Sequence, residues 1–91
     1  HVDTTNFIVT RSGKEVTLSR KEFDLLVYLL RHTGNTMTKD QIIQSVWEYD
    51  SDVLPNTIEV YIGYLRTKID KPFPDKPNLI QTVRGFGYKI G

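Results

Sequence analysis

The sequence predicts an α+β domain in which antiparallel β-strands precede a three-helix core and a β-hairpin closes the chain. Three observations carry this. Apolar residues recur at helical spacing in three separate segments, each introduced by residues that cap helices. Runs of β-prone residues flank glycine-containing turns at both ends. Finally, 91 residues with 38% hydrophobic and 25% charged content suit one folded domain, residues 1–91 taken together, rather than a disordered chain.

The elements follow in order. Phe7-Ile8-Val9-Thr10 and Glu15-Val16-Thr17-Leu18 read as strands around Ser12-Gly13, a hairpin turn. Ser19-Arg20-Lys21-Glu22 is a capping box, in which the serine hydroxyl takes a first-turn amide and the glutamate reaches back. Phe23, Leu26, Val27 and Leu30 then mark the buried face of a first helix, which Gly34 ends in a left-handed cap. Thr38-Lys39-Asp40-Gln41 is a second capping box, and Ile42, Ile43, Val46 and Trp47 give the next helix its apolar face. An acidic connection, Glu48 to Pro55, leads to a third helix capped by Asn56, with Glu59 at the capping-box position, running to about Asp70. Lys71 to Asn78 holds three prolines and forms a loop. Leu79 to Val83 and Tyr88 to Ile90 are strands around a turn with Gly85 and Gly87.

Composition narrows the function. With no cysteine there is neither a disulfide framework nor a thiolate metal site. No apolar run approaches the roughly 20 residues of a membrane span, and no signal peptide is visible, so a cytoplasmic domain without membrane contact is expected. No catalytic motif or paired metal-ligand spacing stands out; His1 is terminal, and His32 lies near a helix end without an evident nucleophile. Neither an enzyme nor a cofactor is expected. The net charge of +1 is small, but residues 1–55 carry six Lys/Arg against eight Asp/Glu, while residues 56–91 carry six against three. The C-terminal part is therefore the one suited to a polyanion.

The third helix divides its faces. At about 100° per residue, Ile58, Ile62, Leu65 and Ile69 form the buried stripe, bordered by Tyr61. Asn56, Val60, Gly63, Tyr64 and Thr67 collect opposite, with Arg66 and Lys68 on the flanks. Such a layout suits a helix lying in the DNA major groove, small and polar groups toward the bases and basic flanks toward phosphates. Mid-helix Gly63 costs roughly 1 kcal/mol against alanine; either it lets the helix approach DNA closely, or it is simply tolerated or packs against a neighbouring loop. Arg84, on the tip of the last hairpin, is suited to a minor groove, where negative potential is enhanced. Phe23, Tyr28, Phe86 and Tyr88 are assigned to packing.

Four segments in register resemble the effector domain of OmpR/PhoB-type response regulators. They are Leu18-Ser19-x-x-Glu22-Phe23-x-Leu25-Leu26, Thr38-x-x-Gln41-Ile42 with Val46-Trp47, Asn56 through Ile69, and Ile80-x-Thr82-Val83-Arg84-Gly85-x-Gly87-Tyr88. The resemblance implies a winged helix-turn-helix: an N-terminal antiparallel sheet, a three-helix core and a C-terminal hairpin wing. The family's sheet has four strands, and His1 to Thr5 is read as the tail of an earlier one, the sheet being truncated. The family also implies a receiver domain N-terminal to this one, absent from this chain, whose phosphorylated aspartate controls dimerisation.

Carried over by position, Val60, Tyr64 and Arg84 contact bases, Arg84 from the minor groove. Trp47, Asn56, Tyr61, Gly63, Arg66, Thr67, Lys68 and Thr82 contact the backbone or groove. The implied partner is double-stranded DNA with direct-repeat half-sites, bound for transcription regulation. Glu48, Tyr49, Asp50, Ser51, Asp52, Val53 and Leu54 match the family's loop that can contact RNA polymerase. Arginines are frequent in relatives where this chain has Asn56, Gly63 and Tyr64, which removes charge-assisted contacts from those positions. The competing reading is a winged-helix module that docks protein, since a fold does not dictate its use.

Overall fold

A computed structural model describes residues 2–48 and 53–91. Three short strands, β1 (Val2–Asp3), β2 (Ile8–Arg11) and β3 (Lys14–Val16), form an antiparallel sheet in that order. The expected hairpin is its second half. Arg11 pairs with Lys14, leaving Ser12 and Gly13 as a two-residue turn with φ of 52° and 80°. Two positive φ angles give the turn a twist that matches the flanking strands. The first pair was not fully legible: Val2 and Asp3 pair with Val9 and Ile8, so the segment read as a strand tail completes a third strand. Between them Asp3 folds the chain back, its carboxylate accepting from the Thr5 and Asn6 amides at 2.9 and 3.2 Å.

Helix α1 (Arg20–Arg31) starts at the predicted capping box, with the Glu22 amide donating to Ser19 Oγ and the Ser19 amide to Glu22 Oε1. Its buried face is rotated from the predicted one. Leu25 and Leu29 lie deepest beside Phe23 and Leu26, while Val27 and Leu30 are half-buried. The helix is apolar over a broad arc, and both α3 and the C-terminal strand pack against it. Which leucines go deepest is therefore a tertiary outcome. His32 is its C-cap residue; Gly34, at φ 88°, turns the chain two residues later and donates its amide to Ile90 O at 2.7 Å.

Met37–Thr38 forms β4, a strand the sequence did not reveal, immediately before α2 (Lys39–Val46). The second capping box is present in full: the Gln41 amide donates to Thr38 Oγ1, and the Thr38 amide donates to Gln41 Oε1. Helix α3 (Pro55–Leu65) continues through a widened π-type turn, Arg66–Asp70, closed by Lys71 N donating to Arg66 O at 2.9 Å. Strands β5 (Ile80–Val83) and β6 (Gly87–Ile90) form the last hairpin, with β6 central between β5 and β4. The core gathers the inner faces of all three helices with Val9, Ile80, Tyr88 and Ile90 from the two sheets.

The start of α3 corrects an expectation. Asn56 does not cap it: Leu54 is the N-cap, without a side-chain bond, and Pro55 occupies the first turn. Proline fits there because that position needs no amide donor and its φ is already helical. Glu59 accordingly makes no capping-box contact and turns to Lys39 instead. The proline-containing loop 71–79 carries one buried side chain, Phe73, under the Arg11 guanidinium at 5.2 Å. Arg11 also donates to Ile69 O, to Asp70 Oδ1 at 2.8 Å and to Pro77 O at 2.7 Å. Asp70 in turn accepts the Leu79 amide at 2.8 Å, so one buried ion pair fastens the loop between α3 and β5. No helix among the described residues is long and apolar enough to cross a membrane.

Candidate nucleic-acid interface

Two elements present the predicted residues. In α3 the stripe Ile58, Ile62 and Leu65, extended by Ile69, is fully buried. This fixes the rotation of the helix and turns Asn56, Val60, Gly63, Tyr64 and Thr67 to solvent. Val60 is 46% and Tyr64 49% exposed, which leaves both side chains open to a ligand. A Cβ on Gly63 would meet nothing within 4 Å. Close packing against a neighbouring segment is therefore not what requires this glycine among the described residues, which leaves close approach to DNA and simple tolerance. Thr67 Oγ1 donates back to Gly63 O at 3.0 Å.

The second element is the wing. The Phe86 amide donates to Val83 O at 3.0 Å, closing a turn with Arg84 and Gly85 at its centre. Gly85 takes φ 80°, the left-handed value this turn position requires. Gly87 has a different reason: a Cβ there would lie 2.0 Å from the carbonyl oxygen of Met37, where β4 pairs with β6. Arg84 is exposed, with no ion-pair partner among the described residues. Phe86 is 71% exposed, which corrects its assignment to packing, whereas Phe23 and Tyr88 are buried as expected. Sequence reasoning missed Phe86; its place between two glycines of a turn, with no strand neighbour to cover it, was the available signal.

A cleft separates wing from helices, lined on one side by Thr82 to Tyr88 and on the other by Lys39, Pro55 and Glu59. Within the helix side of it Lys39 Nζ donates to Glu59 Oε1 at 2.5 Å, tying the start of α2 to α3. That hydrogen bond raises the Lys39 pKa above its ordinary value, against a smaller opposing effect of desolvation.

The flanking cations are more committed than their positions in sequence suggest. Arg66 Nη2 donates to Thr82 Oγ1 at 2.6 Å and to Ile80 O at 3.3 Å, bracing the wing against α3, with its guanidinium 5.9 Å from the Tyr88 ring centre. Lys68 Nζ donates to Glu22 Oε1 at 2.6 Å, joining the end of α3 to the start of α1. Burial pushes the Glu22 carboxyl up, but the hydrogen bond from Lys68, the Ser19 amide and hydroxyl, and the Lys68 charge together outweigh it and hold its pKa below the ordinary 4.5. Trp47 is only 4% exposed, and its ring packs edge-on against Tyr61, the centres 5.2 Å apart. Of the acidic connection, Glu48 and Leu54 are exposed and Val53 packs on the core. Tyr49, Asp50, Ser51 and Asp52 lie outside the described residues.

Residues 13–90 match the family model described as "Transcriptional regulatory protein, C terminal". Uncharacterized transcriptional regulatory protein YkoG of Bacillus subtilis is 48% identical over 82 residues, covering 90% of this chain and 35% of the relative. The response regulator ArlR of Staphylococcus aureus is 44% identical over 89 residues, covering 98% of this chain and 40% of ArlR. The solved DNA-binding domain of Klebsiella pneumoniae RstA, in complex with RstA box, superposes with a TM-score of 0.84 at 32% identity, covering 99% of this chain and 88% of that one. DrrB of Thermotoga maritima, an OmpR/PhoB homologue, gives 0.84 at 30% identity, covering 98% of this chain and 40% of that one. This chain spans 35–40% of the length of these curated relatives. The chain belongs to the family of OmpR/PhoB-type C-terminal effector domains, winged helices of transcriptional regulators rather than enzymes.

Proposed function

We propose that this domain binds double-stranded DNA in a sequence-dependent way as the effector part of a two-component response regulator, α3 lying in the major groove and the wing in the minor. The observation that carries the reading is the placement of α3 beside the wing: Pro55 and Glu59 from the first turns of α3 line one wall of a cleft whose other wall holds Arg84, and the same helix turns Val60, Gly63 and Tyr64 to solvent. The RstA domain, solved on its DNA box, supports it further. A protein-docking use has no comparable support.

Within this reading Val60 and Tyr64 contact bases, and Arg84 enters the minor groove. Asn56, Gly63 and Thr67 approach the groove and backbone from the same helix face. Arg66, Thr82, Lys68, Trp47 and Tyr61 belong to the backbone-contacting set, with Arg66 and Lys68 reaching phosphate only by sharing or exchanging their present partners. By family likeness the regulator is cytoplasmic, carries a receiver domain before this one and dimerises through it on direct-repeat half-sites. Glu48 to Leu54 offers its acidic charge to RNA polymerase.

Titration with duplex DNA at several salt concentrations tests the assignment, because neutralised phosphates release counterions and affinity then falls steeply with salt. Arg84→Ala is expected to weaken binding by about 1–3 kcal/mol. An unchanged affinity and salt slope would remove the wing from the interface. Sedimentation on a duplex with two half-sites should show two domains at saturation; one domain would end the direct-repeat proposal.

A further inference from the structure

Tyr64 offers a ring and one hydroxyl, without the fixed fork of donors of a guanidinium. It needs orientation from elsewhere. Tyr64 stands edge-on to Tyr61, ring centres 5.4 Å apart and planes at 70°. Tyr61, one turn earlier, stands edge-on to buried Trp47 at 5.2 Å and 75°. Trp47 is held in turn by Lys21, whose ammonium lies 5.6 Å from its ring centre and donates to Val46 O at 2.8 Å. The three rings thus run from the interior to the solvent face of α3, each in the edge-to-face geometry that aromatic pairs favour.

We infer that Trp47 and Tyr61 are positioning residues, a ring ladder that presets the Tyr64 side chain for reading bases. This deepens the assignment of Tyr64 as a base contact and rests on it. A side chain already restricted to its bound rotamer loses less freedom on binding, so the ladder raises affinity for the matched site above that for its mismatch. It also separates the ring of Tyr61 from its hydroxyl: the ring orients Tyr64, and the hydroxyl is dispensable for base preference.

The test uses the 91-residue chain. A preferred duplex is selected from a random pool, and the base pairs at which Tyr64→Ala loses discrimination are identified. The ratio of Kd values for matched and mismatched duplexes is then measured at two salt concentrations. Tyr61→Phe should keep the ratio, whereas Tyr61→Leu should lower it about three- to tenfold, the worth of an aromatic pair, with the salt slope unchanged. Uniform weakening of all duplexes by Tyr61→Phe keeps the ratio and leaves the ring as the orienting group beside a hydroxyl that meets phosphate. A lowered ratio in Tyr61→Phe would place base preference in the hydroxyl and overturn the ladder. So would an unchanged ratio in Tyr61→Leu while Tyr64→Ala alters it. If Tyr64→Ala itself alters no preference, the base-contact assignment falls and the ladder with it. Side-chain coupling constants need no variant: Tyr64 should hold one χ1 rotamer in the free domain and keep it on DNA. Averaged couplings in the free domain would overturn the inference.

Discussion

The base of the domain and its wing side use charge in opposite ways. At the base, Arg11 and Lys68 are directed onto the carboxylates of Asp70 and Glu22, both almost fully buried, and each pair joins segments at least 46 residues apart in sequence. On the wing side Arg84 has no ion-pair partner among the described residues, although Lys39, Asp40 and Glu59 line the cleft beside it, and Phe86 of the wing and Val60 and Tyr64 of α3 are exposed. Two cations near the end of one helix can therefore serve architecture while a third, on a turn, remains available to a ligand. Counting basic residues in the C-terminal part overstates what a polyanion would meet.

Four experiments break or sharpen this contrast. The largest effect is expected at the base. Asp70→Ala removes the partner of Arg11 and the acceptor of the Leu79 amide, leaving a partly buried guanidinium unpaired. Loss of about 3–5 kcal/mol in urea unfolding is expected, the usual cost of breaking a buried pair. A loss below 1 kcal/mol would show that the loop is held by Phe73 rather than by charge. Gly87→Ala comes next, since its methyl would strike the Met37 carbonyl; loss of about 1–3 kcal/mol is expected by thermal melting.

Glu22 gives a pH signature. Its carboxyl titrates below the ordinary glutamate value in the fold, so its contribution is full above the unfolded pKa and fades as pH falls through the lower, folded one. Unfolding measured between neutral pH and the acid side of 4.5 should lose part of its slope in Glu22→Gln. An identical slope would show that the Lys68 contact does not couple to folding. The smallest effect lies across the molecule at Gly63. With open space around it, Gly63→Ala should stabilise α3 by up to about 1 kcal/mol, while DNA affinity falls if the helix sits close in the groove. Stabilisation without any change in DNA affinity would leave the glycine without a role in binding.

How much of this was legible depended on the range of the interaction. The stripe Ile58, Ile62, Leu65 and Ile69 and both capping boxes were plain because they repeat within one or two helical turns. Strand β4 was not, since two residues acquire strand character only by pairing with Gly87 and Tyr88. The start of α3 was misplaced by one or two residues because polar Asn56 imitates a cap, and the proline beside it was the stronger signal. The commitment of Lys68 to Glu22 could not be read, for nothing local distinguishes a lysine facing solvent from one facing a distant carboxylate. At the interface the exposed face of α3 and the site of Arg84 were legible, but the exposure of Phe86 and the ring contacts that orient Tyr64 were not.

Strand β6 pairs on both edges, with β5 inside the wing and with β4, which runs straight into α2. The wing is thus no free flap; through β4 it shares a frame with the two helices that face it. Its tip and the face of α3 behave as the jaws of a caliper with a set gauge. In the proposed binding mode, a duplex whose grooves fall out of step with that gauge must bend or change its groove width to be held, so stiffness along the DNA becomes a second text beside the bases themselves.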